Sequence, residues 1–91
     1  MLGKRIKELR EVRHFSQVEL AEALHVSKQS VSNWENENIL PSIEMVTKIA
    51  MFFSVSTDYL LGLDNRQFLD VTGLSGAEIA HIQMLIDDIR K

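Results

Sequence analysis

Between residues 28 and 36 the chain sets out side chains suited to hydrogen bonding with a flat polar edge: Lys28, Gln29, Ser32, Asn33 and Asn36. At about 100° per residue on a helix these fall within one arc, while Val31 and Trp34 point the opposite way. An amide presents a donor beside an acceptor and matches adenine N6 and N7. An ammonium reaches guanine O6 and N7, and a hydroxyl serves either base. A solvated helix face has the same composition, so the meaning of the stripe depends on what holds it. Gln17 opens a preceding helix, where its amide and the unpaired backbone N–H groups would meet a phosphate or simply water.

No other grouping offers comparable chemistry. His14, His25 and His81 lie on different elements, without the i,i+4 spacing of a helical metal pair. The chain has no cysteine, which removes thiolate catalysis, disulfides and thiolate zinc sites and fits an intracellular protein. There is no glycine-rich phosphate loop and no nucleophile elbow. Asp87–Asp88 reads as a solvated pair near a helix end rather than a catalytic dyad. With 91 residues, one modest core is the limit and a two-domain enzyme with a cofactor cleft is excluded. The expectation is a non-enzyme without metal or cofactor.

The elements that would carry these side chains are all helical. Leu2, Ile6, Leu9 and Val12 repeat at helical spacing. Ser16 with Glu19 forms a capping box opening a short helix with Leu20 and Leu24. Ser27 caps a helix through Val31 and Trp34, which ends in the polar run Asn36-Glu37-Asn38. Pro41-Ser42 marks a restart, and Ile43, Val46, Ile49, Ala50 and Phe53 line one face of a fourth helix. Ser56 opens a brief fifth helix closed by Gly62. Asp64 to Gln67 reads as a connector. Ser75 with Glu78 is a second capping box, Leu74 and Ile79 have the spacing of a hydrophobic staple, and the last helix runs to about Ile89. The division is 1–63 for a head of five helices, 64–74 for a connector and 75–91 for a C-terminal helix.

The net charge of −3 and pI near 5.5 argue, taken whole, against a nucleic-acid partner. The charge is uneven, however. Residues 1–14 sum to +3, through Lys4, Arg5, Lys7, Arg10 and Arg13 against Glu8 and Glu11. Residues 15–53 and residues 54–91 each sum to −3. The first helix is basic and the C-terminal third acidic. The longest unbroken apolar run is Ile49 to Phe53, far short of the roughly 18–20 residues that span a bilayer. The N-terminus lacks the apolar region of a signal peptide, so no membrane and a cytoplasmic location are expected.

Residues 17–35 have the internal logic of a helix-turn-helix. Leu20, Leu24, Val26, Val31 and Trp34 would lock two short helices, with Ala21 at their closest approach and Leu24-His25-Val26-Ser27 as the turn. Here the chain resembles the lambda-repressor/Cro-like (Xre-type) family of helix-turn-helix regulators. Leu9 to Gln17 is similar to its signature between first and second helices, and Val26 to Glu35 to its recognition helix. Pro41-Ser42, Ile49-Ala50 and Val55 to Leu61 are similar to its fourth and fifth helices. The chain departs from that pattern at His25, where the turn usually holds Gly, and at Asn36-Glu37, where many members have Arg or Asn followed by Gly.

The resemblance implies an all-α, five-helix lambda-repressor-like DNA-binding domain with one additional C-terminal helix. It implies base contacts from Lys28, Gln29, Ser32 and Asn33 on double-stranded DNA, and phosphate contacts from Arg10, Gln17, Ser30 and Asn36. It further implies an ion pair between Arg10 and Glu35 that fixes the first helix against the recognition helix. Trp34 falls at a buried position of the motif, so core is expected rather than base stacking.

The C-terminal helix carries Ile79, Ile82, Ile86 and Ile89 at a 3-4-3 spacing, widened by Leu85, with Ala77, Ala80 and Met84 as a second strip. One strip is enough to cover a core; two point to a second surface. Homodimerisation through Ile79, Ile82, Leu85, Ile86 and Ile89 is expected, with two half-sites about one turn of DNA apart. A protein partner such as a toxin or an antirepressor is the alternative use of this helix.

Overall fold

The computed structural model describes residues 2–91. Its helices, in chain order, are α1 (Leu2–Val12), α2 (Gln17–Leu24), α3 (Lys28–Glu35), α4 (Ile43–Phe53), α5 (Thr57–Leu60) and α6 (Gly76–Ile89), and no strand occurs among the described residues. The fold is all-α, as expected, with five helices in a head and one beyond it.

Local chemistry sets nearly every boundary. Ser16, Ser27, Ser42, Ser56 and Ser75 stand in extended backbone before α2 to α6, and each side chain accepts the N–H three residues on. Ser16–Glu19 and Ser75–Glu78 close both halves of a capping box. The first five helices end alike, in a six-to-one bond onto the last turn. Phe15 donates to Arg10 O at 3.0 Å, Val26 to Ala21 O at 2.9 Å and Asn38 to Asn33 O at 2.9 Å. Val55 likewise donates to Ala50 O at 3.0 Å and Leu63 to Asp58 O at 2.8 Å. This Schellman geometry needs a left-handed residue just before the donor. Gly62 provides one, but His14, His25 and Glu37 adopt φ near 60° and Ser54 adopts 55°. Each of these four meets a Cβ penalty that glycine escapes.

Twelve buried apolar residues form one core: Ile6 and Leu9 of α1, Leu20, Ala21 and Leu24 of α2, Val31 and Trp34 of α3, Val46, Ile49, Ala50 and Phe53 of α4, and Leu60 of α5. Two residues expected on these apolar faces lie outside it, Val12 at 74% exposed and Ile43 at 88%. Both occupy terminal turns that overrun the edge of the core.

Nothing from α6 enters this core, and no residue of α6 is buried. The principal extents of 44 × 23 × 23 Å and a radius of gyration of 15.1 Å exceed the roughly 12 Å of a compact chain this long. The excess comes from a C-terminal unit in which residues 67–71 fold back along α6. Phe68, Leu69 and Val71 share an apolar groove with Ile79, Ile82 and Ile86. Ile82 and Ile86 are thereby half-buried within their own chain. The expected isoleucine seam is therefore partly used by the connector. Leu85 at 52% and Ile89 at 83% remain open, on the adjoining arc of the helix.

Candidate nucleic-acid interface

The interface is built on the α2–α3 pair. Leu20, Ala21 and Leu24 of α2 and Val31 and Trp34 of α3 are buried, with Val26 partly buried between them. These contacts leave the opposite arc of α3 facing outward. Lys28, Gln29 and Asn36 are exposed, and Ser32 and Asn33 are half-buried.

The outward side chains are ordered among themselves. Gln29 Nε2 donates to Asn33 Oδ1 at 3.1 Å. Asn36 Nδ2 donates to Ser32 Oγ at 3.3 Å. The hydroxyls of Ser27 and Ser30 share a bond of 3.0 Å. The Gln29–Asn33 bond uses one donor and one lone pair, so the Gln29 carbonyl and both Asn33 N–H groups stay open to a base edge. Trp34 lies in the core, 7% exposed, where it cannot serve as a stacking platform.

Behind α3 lies a charged network. Arg10 Nε donates to Glu35 Oε2 at 2.7 Å and Nη2 to Oε1 at 3.0 Å, a bidentate ion pair joining α1 to α3. Arg10 Nη1 also donates to Phe15 O at 2.8 Å. The Arg10 side chain is 11% exposed and that of Glu35 1%. The bond to the Glu35 carboxylate holds the Arg10 guanidinium above its ordinary pKa despite the opposing cost of burial. Gln17 Nε2 donates to the same Glu35 Oε1 at 3.0 Å, so one carboxylate ties together α1, α2 and α3.

These bonds bear on the phosphate contacts that the resemblance implies. The Gln17 amide nitrogen is turned inward, which leaves the backbone at the start of α2 as its more accessible donor. Arg10 has three N–H groups committed internally. The rest of the basic first helix is similarly occupied: Arg13 Nη2 donates to Phe53 O at 2.9 Å, and the Arg5 guanidinium stacks over Tyr59 at 4.0 Å. Three of the five cations in the +3 segment thus brace the head rather than form an open basic patch.

Two features escape sequence reading. The Gln17–Glu35 bond joins residues 18 apart in the chain and leaves no local trace. Gly3, buried against the C-terminus of α3, did leave a signal: it precedes Ile6 by one helical turn, on the buried arc of α1.

Residues 6–60 match the family model described as helix-turn-helix, which spans α1 to α5. The chain belongs to the lambda-repressor-like helix-turn-helix family. It is similar to the HTH-type transcriptional regulator ImmR of Bacillus subtilis (strain 168), 38% identical over 88 residues, covering 96% of this chain and 69% of ImmR. It is also similar to the antitoxin PezA of Streptococcus pneumoniae serotype 4, 36% identical over 64 residues, 70% of this chain and 40% of PezA. Among solved structures it resembles one described as a SinR protein/SinI protein complex, with TM-score 0.65, 26% identity and coverage of 99% of this chain and 98% of that one. His25 and Glu37 occupy the left-handed positions after α2 and α3. No helix among the described residues is long and apolar enough to cross a membrane.

Proposed function

We propose that this protein is a sequence-specific, double-stranded DNA-binding transcriptional regulator that acts as a homodimeric repressor on a near-palindromic operator. The observation that carries the reading is the outward arc of α3, where Lys28, Gln29, Ser32 and Asn33 stand on a recognition helix anchored from behind by Glu35, Arg10 and Gln17. In this reading Lys28, Gln29, Ser32 and Asn33 read base edges, and Arg10, Ser30, Asn36 and the α2 N-terminus at Gln17 meet phosphates.

Dimerisation is supported by the physical state of the C-terminal unit. A helix with no buried residue, laid against one extended segment, has too little core to hold itself. Phe68, Leu69, Met84, Leu85 and Ile89, all more than half exposed, supply the apolar surface that a second copy would cover. Occupying a promoter is enough for repression and asks for no further surface. A protein partner is the second reading. It draws on the likeness to an antitoxin and to a SinR/SinI complex, but the antitoxin likeness extends over 64 residues whereas that to ImmR extends over 88.

The test is retardation of DNA upstream of the protein's own gene, with salt titration and sedimentation. A specific complex that weakens with salt, lost in Asn33→Ala, supports the reading. Absence of retention at low salt on any genomic fragment would overturn it. Leu85→Asp with Ile89→Asp should give monomers, and a persistent dimer would move the interface elsewhere.

A further inference from the structure

We propose that Gly3 is a positioning residue for base readout: the lack of a side chain there seats α1 on the end of the recognition helix and so fixes how α3 presents Gln29 and Asn33. The proposal rests on the DNA-binding reading above and adds a residue outside the helix-turn-helix that controls it.

Gly3 lies within α1 and its backbone takes no positive φ, so conformation does not require glycine there. Space does. A Cβ at this position would overlap Trp34 O outright and lie 2.7 Å from Glu37 Cγ and 3.0 Å from Glu35 O. The obstructing atoms are chiefly backbone and cannot step aside singly. Trp34 O accepts the Glu37 N–H at 3.1 Å and Asn33 O accepts the Asn38 N–H at 2.9 Å, so the last turn of α3 is locked into its own terminus.

Helix α1 therefore holds α3 at two points. At one, the first turn of α1 sits on the Trp34 and Glu35 carbonyls, an approach of helix N-terminus to helix C-terminus that their opposite partial charges favour. At the other, Arg10 grips the Glu35 carboxylate. Seven residues of helix separate Gly3 from Arg10, about 10 Å of rise. Both fixings land on the last turn of α3, at Trp34 and Glu35, and together fix where the C-terminal end of the recognition helix lies against α1. Any side chain at Gly3 must lift the C-terminal half of α3, by roughly an ångström to restore ordinary contact with the Trp34 carbonyl. Asn33 lies in that half and is hydrogen-bonded to Gln29 one turn earlier, so the pair is moved from the base edges it would meet.

The experiment compares wild type, Gly3→Ala and Ile49→Val for affinity to the selected operator and to a scrambled duplex of equal length, in the same salt. Ile49→Val is a control that loosens the same core from α4, at a residue belonging to neither α1 nor α3. Gly3→Ala should lose operator affinity by about tenfold or more, the worth of a good paired base contact, with scrambled-duplex affinity within about twofold because phosphate anchoring persists. Ile49→Val should keep the ratio of the two. If Gly3→Ala is partly unfolded at the assay temperature, all three proteins are compared in an osmolyte that restores folding. An unchanged ratio in folded Gly3→Ala, or an equal loss in Ile49→Val, overturns the proposal. Wild type without preference for any sequence overturns the DNA-binding reading as well, and is recognised before any variant is measured.

Discussion

Glu35→Gln tests the network that holds the recognition helix. The Glu35 side chain is 1% exposed and accepts three hydrogen bonds, two from Arg10 and one from Gln17. The amide keeps one acceptor, but its NH2 must face the guanidinium or the Gln17 amide, donor against donor. Arg10 is then left as a cation 11% exposed without a carboxylate partner, held only by Phe15 O and one amide oxygen. Removing one member of a buried pair costs about 3–5 kcal/mol, and the residual solvation of Arg10 places this case near the lower end. A chain this long has about 5–14 kcal/mol of stability in all. At about 4–8 °C per kcal/mol, a loss of about 3 kcal/mol lowers Tm by roughly 12–24 °C. Far-UV circular dichroism and the fluorescence of the single tryptophan, Trp34, should report the same shift. Operator affinity, measured where both proteins are folded, should fall as well. The paired replacement Arg10→Met with Glu35→Leu removes both charges and should recover most of the lost stability. A Glu35→Gln protein melting within about 3 °C of wild type would refute this account of the network.

His25→Gly should raise stability by about 0.5–1 kcal/mol, because relief of the left-handed penalty exceeds the entropy glycine adds to the unfolded chain; a lower Tm would show that the His25 side chain stabilises the turn. The Ser16 and Ser75 N–H groups donate to Glu19 and Glu78 and hold both carboxyls below their usual value of 4.5. Their contribution is therefore complete above pH 4.5 and is lost as pH falls through the lower folded-state values. Glu19→Gln with Glu78→Gln should flatten the acid side of the Tm profile, and superimposable wild-type and variant profiles would contradict it. Because Arg5 and Arg13 are engaged internally, and Arg10 and Lys28 are the cations placed toward the DNA, specific binding should show a shallow salt slope of about −2 to −4 for a dimer. A slope near −8 would mean that the Arg5 and Arg13 guanidinium groups turn to the DNA.

How far the sequence is legible depends on how local the cause is. Four of the five serine caps, two capping boxes and the apolar spacing of α1 to α4 are visible in the sequence because cap, turn and helix face are set within a few residues. The outward arc of α3 is legible for the same reason. The left-handed residues after α1, α3 and α4 are harder to see, since His14, Glu37 and Ser54 carry no glycine signal and are held there by the six-to-one bonds around them. The +3 charge of the first helix and the Arg10–Glu35 pair are legible, but the destinations of its other guanidinium groups are not: the packing of α1 directs Arg5 to Tyr59 and Arg13 to Phe53.

By itself, then, the sequence determined six helices, their caps and the polar stripe of the recognition helix, all consequences of backbone geometry over one or two turns. The tertiary structure decided which charges remain free, that Gln17 turns its amide to Glu35, that residues 67–71 cover Ile82 and Ile86, and why position 3 needs glycine. Each of these depends on atoms far apart in the chain coming within contact distance. Periodicity cannot record such meetings, because they arise only when one helix is laid upon another.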